Sequence, residues 1–461
     1  MTRRFADGFE VAVRHDVRRY GDGLLVGGSP MRAMRLGPLA RERLRDDRLV
    51  VRDRTDEALA ARLVDGNLAD PVLHGGGPPP HEITVVIPVR DRPEQLDRAL
   101  RALDGLRVVV VDDDSHDPAA VARVAAAHDA RVVPLPVNLG PAGARNAGVL
   151  TVDTPFVALV DSDVQADAAM LRRLARHFAD DRVALVGPLV RSRARAQDPS
   201  WFERYDEQVS SLALGRRACV VRPGAAVGWL PSACLVARVD RLRAAGGFAE
   251  DMRVGEDVDL VWRLVEAGEV VRYDPDEVAW HDTRSTVRGW LGRKYLYGTG
   301  GAGLAARHGR KGAPAVMSAT TAVAAAAVLA RRRWSLPVAL VGVLAGIRAL
   351  DRRLPEGPQR RELAIRLGAQ GLGWAVRQEA ALLLRHWWPL AALAATRSGT
   401  VRRAVVTALL VDVVVARVDH PDARYDPLSR RLDDLAYGAG LWAGALRARS
   451  VAALLPRRPG G

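Results

Sequence analysis

Between residues 83 and 161, short β-branched runs alternate with helical segments, and this stretch restricts the fold more than any other part of the chain. Residues 83–89 (Ile-Thr-Val-Val-Ile-Pro-Val) read as a strand and 93–103 as a helix. Residues 107–111 read as a second strand ending on Asp112, and 118–128 as a second helix. A third strand at 132–135, a helix at 143–150 and a fourth strand at 156–160, ending on Asp161, complete the series. Alternation at this spacing predicts an α/β fold with a mainly parallel sheet and helices on both faces. Ligands of such sheets collect outside the carboxyl ends of the strands. The polar residues directly after each strand are therefore the candidates for function.

Two of those strand ends are acidic. Asp112-Asp113-Asp114-Ser115 follows the second strand, and Asp161-Ser162-Asp163 follows the fourth. Carboxylates grouped at a sheet mouth repel one another unless a cation or hydrogen-bonding ligand neutralises them. A lone Asp-x-Asp is more often a loop acid or a helix cap. Its place straight after a β-run, matched by a second acidic strand end, favours a hard divalent ion holding a diphosphate. Residues 138–146 (Asn-Leu-Gly-Pro-Ala-Gly-Ala-Arg-Asn) form a Gly-rich turn entering a helix, where backbone can approach a ligand and a helix N-terminus can face an anion. Gly255-Glu256-Asp257 opens a further helix with acids in its first turn, a common pairing with the helix dipole.

The formal charge of +14 raises the question of nucleic acid. Lys294 and Lys311 are the only lysines, so the basic charge is almost entirely arginine, including bland surface positions. No aromatic-and-glycine RNA-binding pattern or zinc-finger spacing accompanies it. Anionic lipid and a diphosphate substrate are the better outlets, and no nucleic-acid partner is expected. Two cysteines, Cys219 and Cys234, fit a reducing compartment without a disulfide framework. The first thirty residues lack an apolar signal-like run, which places the expected catalytic part in the cytoplasm or on the cytoplasmic face of the membrane. The Gly-Gly-Gly-Pro-Pro-Pro run at 75–80 reads as a linker. Three regions are expected: a small α+β module at 1–75, a sheet domain at 81–305 and an apolar helical tail at 306–461. In that tail, uncharged runs at 313–330 and 335–347 flank Arg331-Arg332-Arg333, suggesting association with a membrane surface, with a buried bundle as the alternative.

Taken in order, these elements resemble the family 2 glycosyltransferases of the GT-A fold over about residues 83–300. The resemblance implies a nucleotide-sugar donor and an inverting transfer assisted by Mn or Mg. It implies that Pro88 and Arg90, in Val85-Val86-Ile87-Pro88-Val89-Arg90, lie in the nucleotide-contacting turn. Here Arg90-Asp91 replaces the more usual aromatic–Asn pair. Asp112 would hydrogen-bond the base, with Asp114 beside it, and Arg145 would lie near base and diphosphate. Asp161 and Asp163 match the metal-binding Asp-x-Asp, with His281 as a third ligand and Asp161 also facing the donor. Asp257 matches the catalytic base. Residues 26–32, 255–268 and 290–298 resemble the branch of the family that glycosylates mycofactocin, a peptide-derived redox cofactor, and imply UDP-glucose as donor. Membrane polysaccharide or glycolipid glycosyltransferases of the same superfamily are the enzyme alternative, although the synthases' Gln-x-x-Arg-Trp-type motif is not found around Arg288-Gly289-Trp290. A non-catalytic nucleotide-sugar-binding scaffold is the alternative of another class, but it would not need Asp257. The N-terminal module, loosely similar to small peptide-binding winged modules, is expected either to recognise acceptor or to serve as a packing extension that covers one side of the transferase.

Overall fold

The computed structural model describes residues 4–21, 23–357, 359–419 and 421–459, so the first three residues of the expected module and the last two of the tail lie outside it. Two compact units emerge: Met1–Arg19 with Gly23–Asp198 and Ser210–Thr283, and Tyr20–Asp22 with Pro199–Val209 and Arg284–Gly461. The linker at 75–80 lies within the first.

The first unit is built on a nine-stranded sheet. Its strands are β1 (Ile83–Val89), β2 (Arg107–Asp112), β3 (Arg131–Pro134), β4 (Phe156–Val160), β5 (Val164–Gln165), β6 (Val183–Arg193), β7 (Cys219–Val220), β8 (Cys234–Arg238) and β9 (Val270–Asp282). The order is β5-β9-β6-β8-β4-β1-β2-β3, with β7 added on β9. The four strands read from the sequence pair in parallel, β4–β1–β2–β3. The sheet as a whole is mixed, because β8 runs antiparallel between β4 and β6. Nothing in the alternation announces β8, which follows a long irregular stretch without a helix crossover. Six helices accompany the sheet: α1 (Pro93–Arg101), α2 (Pro118–Ala126), α3 (Gly140–Leu150), α4 (Ala168–Ala175), α5 (Val239–Ala244) and α6 (Glu256–Glu266).

The strands carry a continuous apolar core because both faces are covered. Ile83, Val85, Val86 and Ile87 are fully buried, as are Val110, Val111 and residues 157–160, the run-on hydrophobicity expected of sheet interiors. Helix α3 lies close on this surface. A Cβ at Gly148 would fall 2.3 Å from Val86 Cγ1 and 2.9 Å from Val111 Cγ2, so only glycine permits that approach.

Residues 4–75 are not packed as an independent body. Glu10–Val13 pairs with Arg48–Val50 on one side and Ala69–Val72 on the other, and a hairpin joins Leu24–Gly27 to Arg32–Arg35. Phe5, Val11, Leu25, Leu49 and Leu63 share one core with Ile83, Ile87, Val110 and Val186 of the main sheet. Arg4 holds Asp180 at 2.7 Å and Arg272 reaches Asp70 at 2.9 Å. The Asn67 amide donates to the Val220 carbonyl at 3.1 Å and accepts the Val220 N–H at 2.6 Å. These ion pairs and hydrogen bonds fix the N-terminal segment against the sheet.

The second unit is helical. The Val287–His308 and Pro427–Arg447 helices meet backbone to backbone: a Cβ at Gly440 would stand 1.9 Å from the Tyr295 carbonyl oxygen. Between them Lys294, 3% exposed, bonds Asp206 at 3.0 Å and Asp433 at 3.1 Å, and Arg385 completes the cluster on Asp433 and Asp434. The alanine-rich run of 313–330 forms the helix Ala319–Ala330, which buries Ala324, Ala325, Ala327, Leu329 and Ala330. No helix among the described residues is long and apolar enough to cross a membrane.

Candidate active site

The carboxyl ends of β1, β2 and β4 bring the sequence candidates together. Register places Pro88 opposite Val111 and Val89 opposite Asp112. The Asp112 carboxylate, 3% exposed, turns back to accept the Ser115 N–H at 3.1 Å. Asp114 has φ 60°, a left-handed conformation that Asp tolerates better than most residues, and Asp91 opposite it has φ 56°. Arg90 Nε donates to the Asp114 carbonyl at 3.3 Å, so Arg90 and Asp114 meet at the exposed rim. Asp113 accepts the Leu139 N–H at 2.7 Å, tying the β2 acids to the Gly-rich turn before α3. Burial lifts its pKa above the ordinary carboxylate range.

Arg145 is the hub of the centre. It is 2% exposed, and its guanidinium donates to Asp161 at 2.5 Å and Glu256 at 3.4 Å while lying 5.4 Å from the Phe248 ring centroid. Burial alone would lower its pKa, but Asp161 and then Glu256 outweigh that and keep it charged. Arg145 thus sits beneath the acids rather than open to the mouth, where the resemblance had set it beside base and diphosphate. Its reach joins α3, β4 and α6 through one side chain.

Segment 232–233, just before β8, anchors two acids at once. The Ala233 carbonyl accepts the Asp161 N–H at 3.0 Å, and the Ser232 N–H donates to Asp257 at 3.3 Å. Asp257 also accepts the Val258 N–H at 2.8 Å, at a helix start whose cap, Gly255, has φ 89°. Its carboxylate is only half-buried. Loss of water and then the neighbouring Glu256 charge push its pKa up to about 7. Glu256 itself is raised by burial, against the pull of Arg145.

Asp163 lies on the turn between β4 and β5 and meets β9. Its Oδ1 stands 3.6 Å from His281 Nε2, and its Oδ2 accepts from Arg92 at 2.7 Å. Asp161 turns the other way, to Arg145. Among the described residues, no three His, Cys, Asp or Glu side chains gather as a ready metal cluster. Asp161, Asp163 and His281 are therefore not drawn together as a ligand trio here, because two arginines each hold one of the aspartates.

The glycosyl transferase family 2 model matches residues 84–217, and the glycosyl transferase family group 2 model matches residues 156–396, about half the chain. The chain is 42% identical over 468 aligned positions to the pre-mycofactocin glycosyltransferase of Mycobacterium tuberculosis, covering 98% of each. It belongs to glycosyl transferase family 2. This glycosyltransferase is also 43% identical over 136 residues to an uncharacterised glycosyltransferase of Mycobacterium bovis, a match covering 29% of this chain and 60% of that one. A mannosyltransferase from Pyrobaculum calidifontis, solved with GDP-Man and Mn2+, aligns over 82% of this chain and 90% of its own. Its identity is 18% and its TM-score 0.43, a likeness that carries no assignment.

Family membership makes the sheet a GT-A fold and the acid-lined mouth the place to look for transfer chemistry. Four residues around that mouth were not singled out by sequence reasoning. Asp113 was seen only as one of three acids; nothing marked it as the bond to the Gly-rich turn. Arg92 precedes a helix and reads as an ordinary N-terminal residue. Glu256 was legible as the neighbour of Asp257, and only the fold turns it toward Arg145. Asn146 accepts the Phe248 N–H and donates to the Phe248 carbonyl, both at 2.9 Å, a clamp between segments a hundred residues apart.

Proposed function

We propose that this glycosyltransferase moves a hexose, glucose from UDP-glucose, onto a peptide-derived redox cofactor of the mycofactocin type, with inversion and with a divalent cation. Asp257 carries this reading: a half-buried carboxylate, held by two backbone N–H groups, whose pKa of about 7 suits a general base near neutral pH. The naming of the M. tuberculosis relative, matched along 98% of both chains, supports the acceptor class.

The residues present fit a cation. Two ligands held about 2.1 Å from one ion stand roughly 3 Å or more apart, and the Asp163–His281 separation is 3.6 Å. Hard oxygen from Asp163, with the His281 imidazole beside it, would hold Mn or Mg. Such an ion supplies charge neutralisation of the departing nucleoside diphosphate. Arg92, now on Asp163, is placed to release that carboxylate and take a diphosphate oxygen. Arg145 holds Asp161 and Glu256 in place below. Asp257 accepts the proton of the acceptor hydroxyl as its oxygen attacks the anomeric carbon. The carbon–diphosphate bond breaks on the opposite face, so an α-linked donor yields a β-glycoside.

The N-terminal segment is the proposed acceptor-recognition element. Arg32–Arg35 is an edge strand with exposed Met31, Arg32 and Arg35 beside it, open to pairing with an extended peptide-derived molecule. Incubation with a panel of UDP-sugars, Mn2+ and a mycofactocin-type acceptor, read by product mass, tests the proposal. A mass gain of one hexose from UDP-glucose is expected. Transfer from another donor alone, or to a lipid and not to this acceptor, overturns the corresponding part.

A further inference from the structure

The helical unit contains a surface that transfer chemistry does not use. Residues 284–461 hold 29 lysines and arginines against 10 aspartates and glutamates, a net +19, whereas residues 1–283 carry 39 against 44, a net −5. All of the chain's positive excess thus sits in one unit. On the Gly399–Asp419 helix, Val406, Leu410, Val414 and Val418 recur every fourth residue and are 53–72% exposed. That spacing puts them in one row about 18 Å long at 1.5 Å per residue. Across from the row, on the Arg360–Ala381 helix, Trp374 is 58% exposed, and the two helices border an open apolar groove of about 560 Å³. Exposed apolar area this continuous marks a docking site.

We propose that this row and Trp374 dock on an anionic lipid bilayer, the helix lying along the interface and not across it. Charge complementarity selects that occupant. Arg402 and Arg403 are exposed on the turn before Val406, and Arg417 is exposed beside Val418, so guanidinium groups stand at both ends of the apolar row. A second copy of this chain would bring a second +19 segment, residues 284–461, against the first, whereas phosphate headgroups neutralise it. Indole at the rim suits the headgroup boundary; Arg377, 5.1 Å from the Trp374 ring centroid, is held there by Asp419 at 2.5 Å, so the charge offered to headgroups comes from Arg402, Arg403 and Arg417. An exposed apolar row with guanidinium groups at its ends, on a helix whose other side packs in the bundle, binds through buried apolar area plus electrostatic attraction.

Sedimentation of the purified full chain with vesicles tests this. Vesicles of phosphatidylcholine with about 30 mol% phosphatidylglycerol should pull the protein down, and pure phosphatidylcholine should do so far less. About 0.5 M NaCl should release it, because it shortens the screening length. L410D/V414D changes two exposed positions, so folding and donor hydrolysis should be retained while vesicle affinity falls about tenfold or more. Equal recovery in the supernatant with and without anionic vesicles overturns the proposal. So does a wild-type dimer converted to monomer by the double variant without any change in vesicle binding, which would assign the groove to a second copy. If L410D/V414D fails to fold, R402E/R403E replaces it, and unchanged binding to anionic vesicles in that variant also overturns the proposal.

Discussion

Asp257 and Asp163 divide the acidic work of the site between two environments. Asp257 has lost water and stands beside Glu256, which together outweigh the pull of Arg145, and its pKa rises; Asp163 faces Arg92 and His281. The base must be ionised to act, so kcat/KM should fall about tenfold per pH unit below about 7 and level off above it. Asp257→Asn should lower turnover by about 10²–10⁴-fold with donor affinity nearly unchanged, as measured by kinetics and donor titration. The sign for stability is opposite to that for activity. A carboxylate raised from 3.8 to about 7 binds its proton more tightly when folded, so its contribution is present below pH 4 and is lost as pH climbs through 7. The Asn variant should therefore unfold at a higher temperature than wild type at pH 8, and the two should converge near pH 4. Near-normal turnover in a folded Asn variant would remove Asp257 from the reaction. Asp163→Ala should weaken UDP-sugar binding in Mn2+ and leave it insensitive to chelator; equal binding by wild type with metal and with chelator would make Asp163 a structural residue.

At the scale of elements, α3 decides whether the acids meet. Gly148 lets this helix settle on β1 and β2, and the helix carries Arg145 to Asp161 and Glu256. Gly148→Ala should force the helix outward, costing about 1–3 kcal/mol by overpacking, as read by urea unfolding. The same shift should lower activity beyond what the stability loss explains; full activity would show that Arg145 tolerates displacement. Sequence made α3 and its parallel strands legible because period-2 and helical patterns alternate cleanly there. It did not reveal β8 or the Ser232–Ala233 anchor, since an irregular stretch precedes them and their partners lie far away in the chain. The sequence marks Asp112 as a strand-end acid, but its burial and its hydrogen bond from the Ser115 N–H are turn properties that no spacing rule gives.

For the whole molecule, the Gly-Pro run at 75–80 looked like a border because composition marks flexibility and not contact. The core formed by Phe5, Val11, Leu25 and Leu49 with the main sheet removes the border. Deleting residues 1–75 should therefore yield insoluble or unfolded protein, checked by solubility and circular dichroism. A well-folded truncated transferase would show that the shared core is dispensable. Acceptor recognition by this segment is better probed with Arg32→Glu and Arg35→Glu, exposed positions whose change should raise acceptor KM and leave donor hydrolysis alone.

The Arg4–Asp180 ion pair spans 176 residues of chain. At a synthesis rate of about 5–20 residues per second, the arginine waits roughly 10–35 s for its partner to be made. Arg272, partner of Asp70, is made later still. During that interval Val11, Leu25 and Leu49 are translated but lack the main sheet that shares their core. The nascent chain therefore carries its first apolar residues without the main sheet until more than a third of it has been made, and closure of the N-terminal segment onto that sheet follows the synthesis of Asp180.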